Sequence, residues 1–129
     1  MNRKETTKFL SDLLIQEKLI GMGKYYASEV TLDYGSDKIK RVDFMQFCPV
    51  NTMSVSGIEK GEFICYEVKS CLADYKSGHG QNFIGERNYL VMPMTLYKSV
   101  VNELSCHIGI IVPIPKGADK HSEFENPQN

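Results

Sequence analysis

FICYEVKS, residues 63–70, is the stretch on which the fold turns. Phe63-Ile64-Cys65-Tyr66 is an apolar run suited to a buried strand, yet it closes on Glu67 and Lys69. In a strand, residues i and i+2 share a face. Glu67 and Lys69 therefore stand side by side on one surface, with Val68 on the other. Taking either charge out of water alone costs on the order of several kcal/mol, so the pair needs a reason. One reason is a salt bridge at a strand end. The other is a metal-binding carboxylate beside a working lysine.

Working outward, the segments before this strand read as a helix and a set of strands. Residues 5–19 place Phe9, Leu10, Leu13, Leu14 and Leu19 near helical spacing, and Gly21-Met22-Gly23 supplies a stop. Residues 25–34 alternate as a strand, and Tyr34-Gly35-Ser36-Asp37 has turn chemistry. Residues 40–47 form the next strand. A short extended piece is expected over 52–58, before the turn at 59–61 and the central strand 62–69. Beyond Lys69 a helical or irregular stretch is broken by Gly78 and Gly80. Residues 88–92 form a short strand, 94–104 a helix striped by Leu96, Val100 and Leu104, and 108–112 a last strand. The order implies an α/β domain with a small central mixed β-sheet flanked by helices.

The bulk properties narrow the function classes. A chain of 129 residues can bury a core as one domain, assigned to residues 1–115. Residues 116–129 are polar and are expected to be a disordered tail. A formal net charge of -1 argues against binding nucleic acid by bulk positive charge, though not against a local basic strip. No apolar stretch reaches the roughly 20 residues of a membrane span, and the charged start does not read as a signal peptide. The four cysteines form no CxxC pair and no zinc spacing with His79, His107 or His121, so structural thiols in a reduced, cytoplasmic protein are expected.

One strand earlier, "RVDFMQF" sets Asp43 in an apolar alternation between Val42 and Phe44. If the two strands pair antiparallel, Asp43 can meet Glu67 and Lys69 at one edge of the sheet. Two carboxylates there make a hard-oxygen site suited to Mg²⁺ or Mn²⁺. "RVDF" followed by "FICYEVKS" resembles the PD-(D/E)xK nuclease-like superfamily, with Val42 where the motif's name has proline. The downstream "ADYKSGHGQNFIGERNYLVMP" is similar to small phage and prophage proteins of that superfamily, and more distantly to the MmcB-like, DNA-repair-related group. The resemblance covers roughly residues 5–113.

It implies a restriction-endonuclease-like core in αβββαβ order with a further αβ, and a metal-dependent phosphodiesterase acting on DNA, with RNA less favoured. By match of motif, Asp43 and Glu67 would hold Mg²⁺ or Mn²⁺ with the backbone carbonyl of Val68, and Lys69 would lie beside the attacking water. Superfamily members often carry an extra acid on an early strand or the first helix. Glu29 fits that place first, with Glu5 and Glu17 competing. The loop "KSGHGQN" offers Lys76, His79, Gln81 and Asn82 as contacts to DNA, and reads equally as a polar surface turn. A non-cleaving module that binds nucleic acid or a protein partner is the second reading. A homodimer or a subunit of a larger phage or repair assembly is the third.

Overall fold

A computed structural model describes residues 2–32, 40–50, 55–78 and 83–114. The expected tail at 116–129 and the turn at 34–37 lie outside these residues, as do His79, Gln81 and Asn82 of the candidate loop. In chain order the elements are α1 (Arg3–Leu14), β1 (Tyr25–Leu32), β2 (Lys40–Cys48), α2 (Val55–Glu59), β3 (Glu62–Val68), α3 (Leu72–Lys76), β4 (Arg87–Val91), α4 (Met94–Val100) and β5 (Gly109–Ile111). The five strands form one mixed sheet in the order β1-β2-β3-β4-β5. β1, β2 and β3 run antiparallel to their neighbours, and β3, β4 and β5 run parallel. Helical crossovers are what a parallel strand pair requires, and α3 and α4 supply them.

α1 begins with a capping box in which the Asn2 side chain accepts the Glu5 N–H and the Glu5 carboxylate accepts the Asn2 N–H. The helix then widens into a π turn over Ile15–Leu19. That turn has a physical purpose. Leu10 and Leu14 are four apart and share a face, but Leu19 is five further on and would rotate away in a regular α-helix. The wider turn brings it back, and all three are buried with Phe44, Ile64, Tyr66, Val68 and Val91 on one face of the sheet. The other face of β4 is covered by α4, with Leu90, Met92, Leu96 and Val100 at its centre. Burial of such side chains, at about 25 cal/mol per Å² of apolar surface, supplies the main driving force.

The strands hold close to their expected bounds. Val68 faces the α1 core, opposite in sense to its neighbours Glu67 and Lys69, as the alternation requires. β3 ends at Val68, yet the Lys69 N–H still donates to the Val91 carbonyl at 2.8 Å. The extended piece expected at 52–58 is corrected. Residues 55–59 form the short helix α2, closed by the Lys60 N–H on the Ser56 carbonyl at 3.1 Å. So short an apolar segment cannot distinguish a period of two from one of 3.6. The helix expected over 94–104 is α-helical to Val100 and then tightens to a 3₁₀ turn at Val101–Glu103.

Tyr66 and Tyr89 stack with ring centroids 5.4 Å apart. Gly109 lies directly against the Tyr89 ring, where a Cβ would collide with it, so only glycine fits. Cys65 is buried, Cys48 and Cys71 are half-buried, Cys106 is exposed, and all four are free thiols. No helix among the described residues is long and apolar enough to cross a membrane.

Candidate functional site

The β2–β3 ladder makes its last pair at Phe44 and Tyr66. At the next position the backbones stop bonding each other and two side chains intervene. The Asp43 N–H donates to Glu67 Oε1 at 3.2 Å, and the Val68 N–H donates to Asp43 Oδ2 at 2.9 Å. Each carboxyl thus satisfies a backbone donor that the parting strands leave open. The sequence reason is local: Asp43 and Glu67 occupy positions where an apolar strand would have continued the ladder.

Glu67 is only 4% exposed, beside Leu90 in the β3–β4 register. Burial pushes its carboxyl up to about 8, and the nearby Asp43 charge and the hydrogen bond between the two side chains push the same way. The Asp43 N–H and the Lys69 charge act against them and do not prevail. Near neutral pH the pair therefore retains a proton. Two acids that cannot both ionise comfortably make this the most strained electrostatic arrangement around β2 and β3 among the described residues.

Lys69 is 3% exposed. Its ammonium lies 3.9 Å from Asp74 Oδ1, and Arg3 Nη2 reaches the same oxygen at 2.8 Å. Asp74 Oδ2 accepts the Ser70 N–H at 3.1 Å and the Ser70 hydroxyl at 3.4 Å. The sequence reading singles out neither Asp74 nor Arg3. Asp74 leaves a faint local signal, an acid in the first turn of a helix that starts just past Lys69. Arg3 leaves none, because it stands 71 residues away in the chain.

Glu29 is not brought into the cluster. It falls between the Ser28–Phe44 and Val30–Val42 pairs, hence on β1 opposite Asp43, but its backbone takes a positive φ of 51°. Its side chain is 74% exposed and pairs with Arg41 at 3.3 Å. Of the competing acids, Glu5 is spent on the α1 capping box, and Glu17 lines a cleft on the opposite face of the sheet. That cleft, about 920 Å³, is bounded mainly by apolar residues of α1 and of the chain following β5. Lys76 is exposed and pairs with Glu103 at 2.8 Å.

Among the described residues no group of three or more His, Cys, Asp and Glu side chains gathers as a metal cage. Asp43 and Glu67 remain a two-acid set. That suits a cation that takes one or two carboxylates and fills its other positions with water and phosphate. Compared with models of protein families, with curated proteins and with solved structures, the chain matches none.

Proposed function

We propose that this protein is a Mg²⁺- or Mn²⁺-dependent phosphodiesterase that hydrolyses DNA, built on a restriction-endonuclease-like core. The observation that carries this reading is the interlock of Asp43 and Glu67 where β2 and β3 part, each carboxylate accepting a backbone N–H of the facing strand, with Lys69 on the Glu67 face and Glu67 pushed up to about 8. A carboxyl pair with one buried member that keeps a proton at neutral pH gains when a divalent cation takes that proton's place. The donors are hard oxygens, which select Mg²⁺ or Mn²⁺ over thiophilic metals. Asp43 and Glu67 would hold the ion, with the Val68 carbonyl as a third oxygen. When bound, the ion would polarise a phosphoryl oxygen and lower the pKa of a coordinated water.

The chain's own residues would do the rest. Glu67 releases its proton on loading and supplies negative charge. Asp43, anchored on the Val68 N–H, keeps the two carboxyls in register. The Lys69 ammonium orients the attacking water and offsets charge that builds on the phosphate during in-line displacement. The element order supports the same class: helix, three antiparallel strands with the short helix α2 before the third, helix, parallel strand, then a further helix and strand. Apart from α2 it follows the order the resemblance implies.

A second reading has its own observation. Arg3, Lys8, Arg41, Lys76 and Arg87 each pair with an acid, so five cations that could meet a phosphate backbone are already partly neutralised. This favours a nuclease-fold module that binds nucleic acid or a protein partner without cleaving. Titration of Mn²⁺ into wild type and Glu67→Gln, with plasmid nicking measured on the same samples, separates the two. Binding and nicking that both vanish in the variant support the phosphodiesterase. Binding without nicking supports the module, and no binding by either protein ends the metal-site reading.

A further inference from the structure

We infer that Asp74 is a positioning residue for Lys69 and that Arg3 sets how tightly it grips. The inference rests on the phosphodiesterase reading of the Asp43–Glu67–Lys69 site. The root of the Lys69 side chain is fixed by the sheet, through its N–H on the Val91 carbonyl. Its tip is almost fully buried, where a long flexible chain needs a directing charge to hold one pose. Asp74, itself only 13% exposed in its side chain, provides that charge. Two bonds from Ser70 to Oδ2 fix the plane of the carboxylate and leave Oδ1 turned toward the cations.

The two cations are held unequally. Arg3 Nη2 is at hydrogen-bonding distance, 2.8 Å, whereas Lys69 Nζ stands at 3.9 Å from the same oxygen. At 3.9 Å an N–H···O hydrogen bond is not made, so Asp74 directs the ammonium by charge without fully engaging it. Arg3 therefore shares the carboxylate that would otherwise close on Lys69. Without Arg3, Asp74 collapses onto the ammonium and draws it away from Glu67. Without the Asp74 charge, the ammonium loses the charge that directs it toward α3. Arg3 lies in the first turn of α1, so docking of that turn is coupled to the pose of Lys69. The competing account makes Asp74 no more than support for the start of α3 through Ser70.

The test uses the full chain, supercoiled plasmid DNA and Mn²⁺, with initial rates across DNA concentration to separate kcat from KM. Asp74→Asn is expected to lower kcat about tenfold at unchanged KM and unchanged Mn²⁺ affinity, the mark of an interaction used in the transition state. Arg3→Met is expected to lower kcat about threefold, and the double variant to match Asp74→Asn alone, because Arg3 then has no carboxylate to share. Asp74→Glu restores part of the loss. Wild-type kcat in both single variants, or strictly additive losses, would overturn the inference. Glu67→Gln is run alongside. If it nicks as well as wild type, or if neither nicks, it is the phosphodiesterase reading that fails. The placement is then judged by the ¹⁵N resonance of the Lys69 ammonium, identified by its loss in Lys69→Met. Movement of that signal in both Asp74→Asn and Arg3→Met supports the coupling, and no movement in either refutes it.

Discussion

β2 and β3 carry two polar pairs, one buried and one partly buried, on opposite faces of the same sheet, and they behave differently. On the α1 face the Tyr66 hydroxyl donates to Gln46 Oε1 at 2.9 Å, and Gln46 Nε2 donates to the Lys18 carbonyl at 3.1 Å. Both groups are neutral, and the network satisfies the amide from both ends. On the other face Asp43 and Glu67 press two acids together, and burial holds a proton on the pair. A closed neutral network specifies a core. An acid pair that burial and the neighbouring carboxyl keep protonated carries an electrostatic strain that the neutral network does not.

The widest separation between the two pairs is expected in catalysis. Glu67→Gln should lower Mn²⁺-dependent plasmid nicking by on the order of a thousandfold, because it removes a charge that only the loaded site and its transition state use. Tyr66→Phe should leave nicking within about twofold, since no step passes through the α1 face. Equal losses in both would erase the distinction.

The next effect is on stability against pH. The folded carboxyl of Glu67 sits at about 8, above its ordinary value of 4.5, so the folded state prefers the protonated form. The sign follows from linkage. The metal-free protein carries no penalty below about pH 4.5, loses stability as pH rises toward about 8, and levels off above it. The loss is at most a few kcal/mol. Chemical denaturation across that range should show the slope in wild type and a flatter curve in Glu67→Gln. Mn²⁺ should reduce the slope, and calorimetry in buffers of different ionisation enthalpy should detect close to one proton released per ion bound at pH 7.

Much of this was written in short-range pattern. The alternation around Asp43 put Val42 and Phe44 inward, and FICYEVKS fixed both the central strand and the shared face of Glu67 and Lys69. Local rules suffice there because strand periodicity needs only neighbours. They fail where geometry depends on distant packing. The Arg3–Asp74 contact exists only because α1 and α3 meet, and no spacing encodes that. Glu29 fits its strand by register, but the positive φ at that residue is a backbone choice that no side-chain pattern announces. No local pattern marks Gln46 as a buried partner, because Tyr66 lies diagonally across on the next strand.

Smaller effects sharpen the neutral side of the comparison. Tyr66→Phe keeps the stack on Tyr89 and removes only the hydroxyl, leaving Gln46 Oε1 buried without its donor. A loss of about 1–3 kcal/mol is expected, read as a lower denaturation midpoint with an unchanged slope in denaturant. Replacing Gln46 and Tyr66 together by Leu and Phe should cost less than the sum of the single changes, since neither partner is then stranded.

The smallest effect is expected at Glu29, and it tests where the acid site ends. Glu29 stands on β1 opposite Asp43, so position alone would admit it to the cluster. Its side chain instead reaches Arg41 at 3.3 Å in a largely exposed pair. Such pairs contribute about 0.5 kcal/mol or less, because water and salt screen the charges and two long side chains must be ordered. Glu29→Gln should therefore change stability by no more than that, and should leave Mn²⁺ affinity and nicking within about twofold. A tenfold fall in affinity would mean that the side chain swings inward when the ion binds. The site would then contain three acids, with Arg41 released as one of them is recruited.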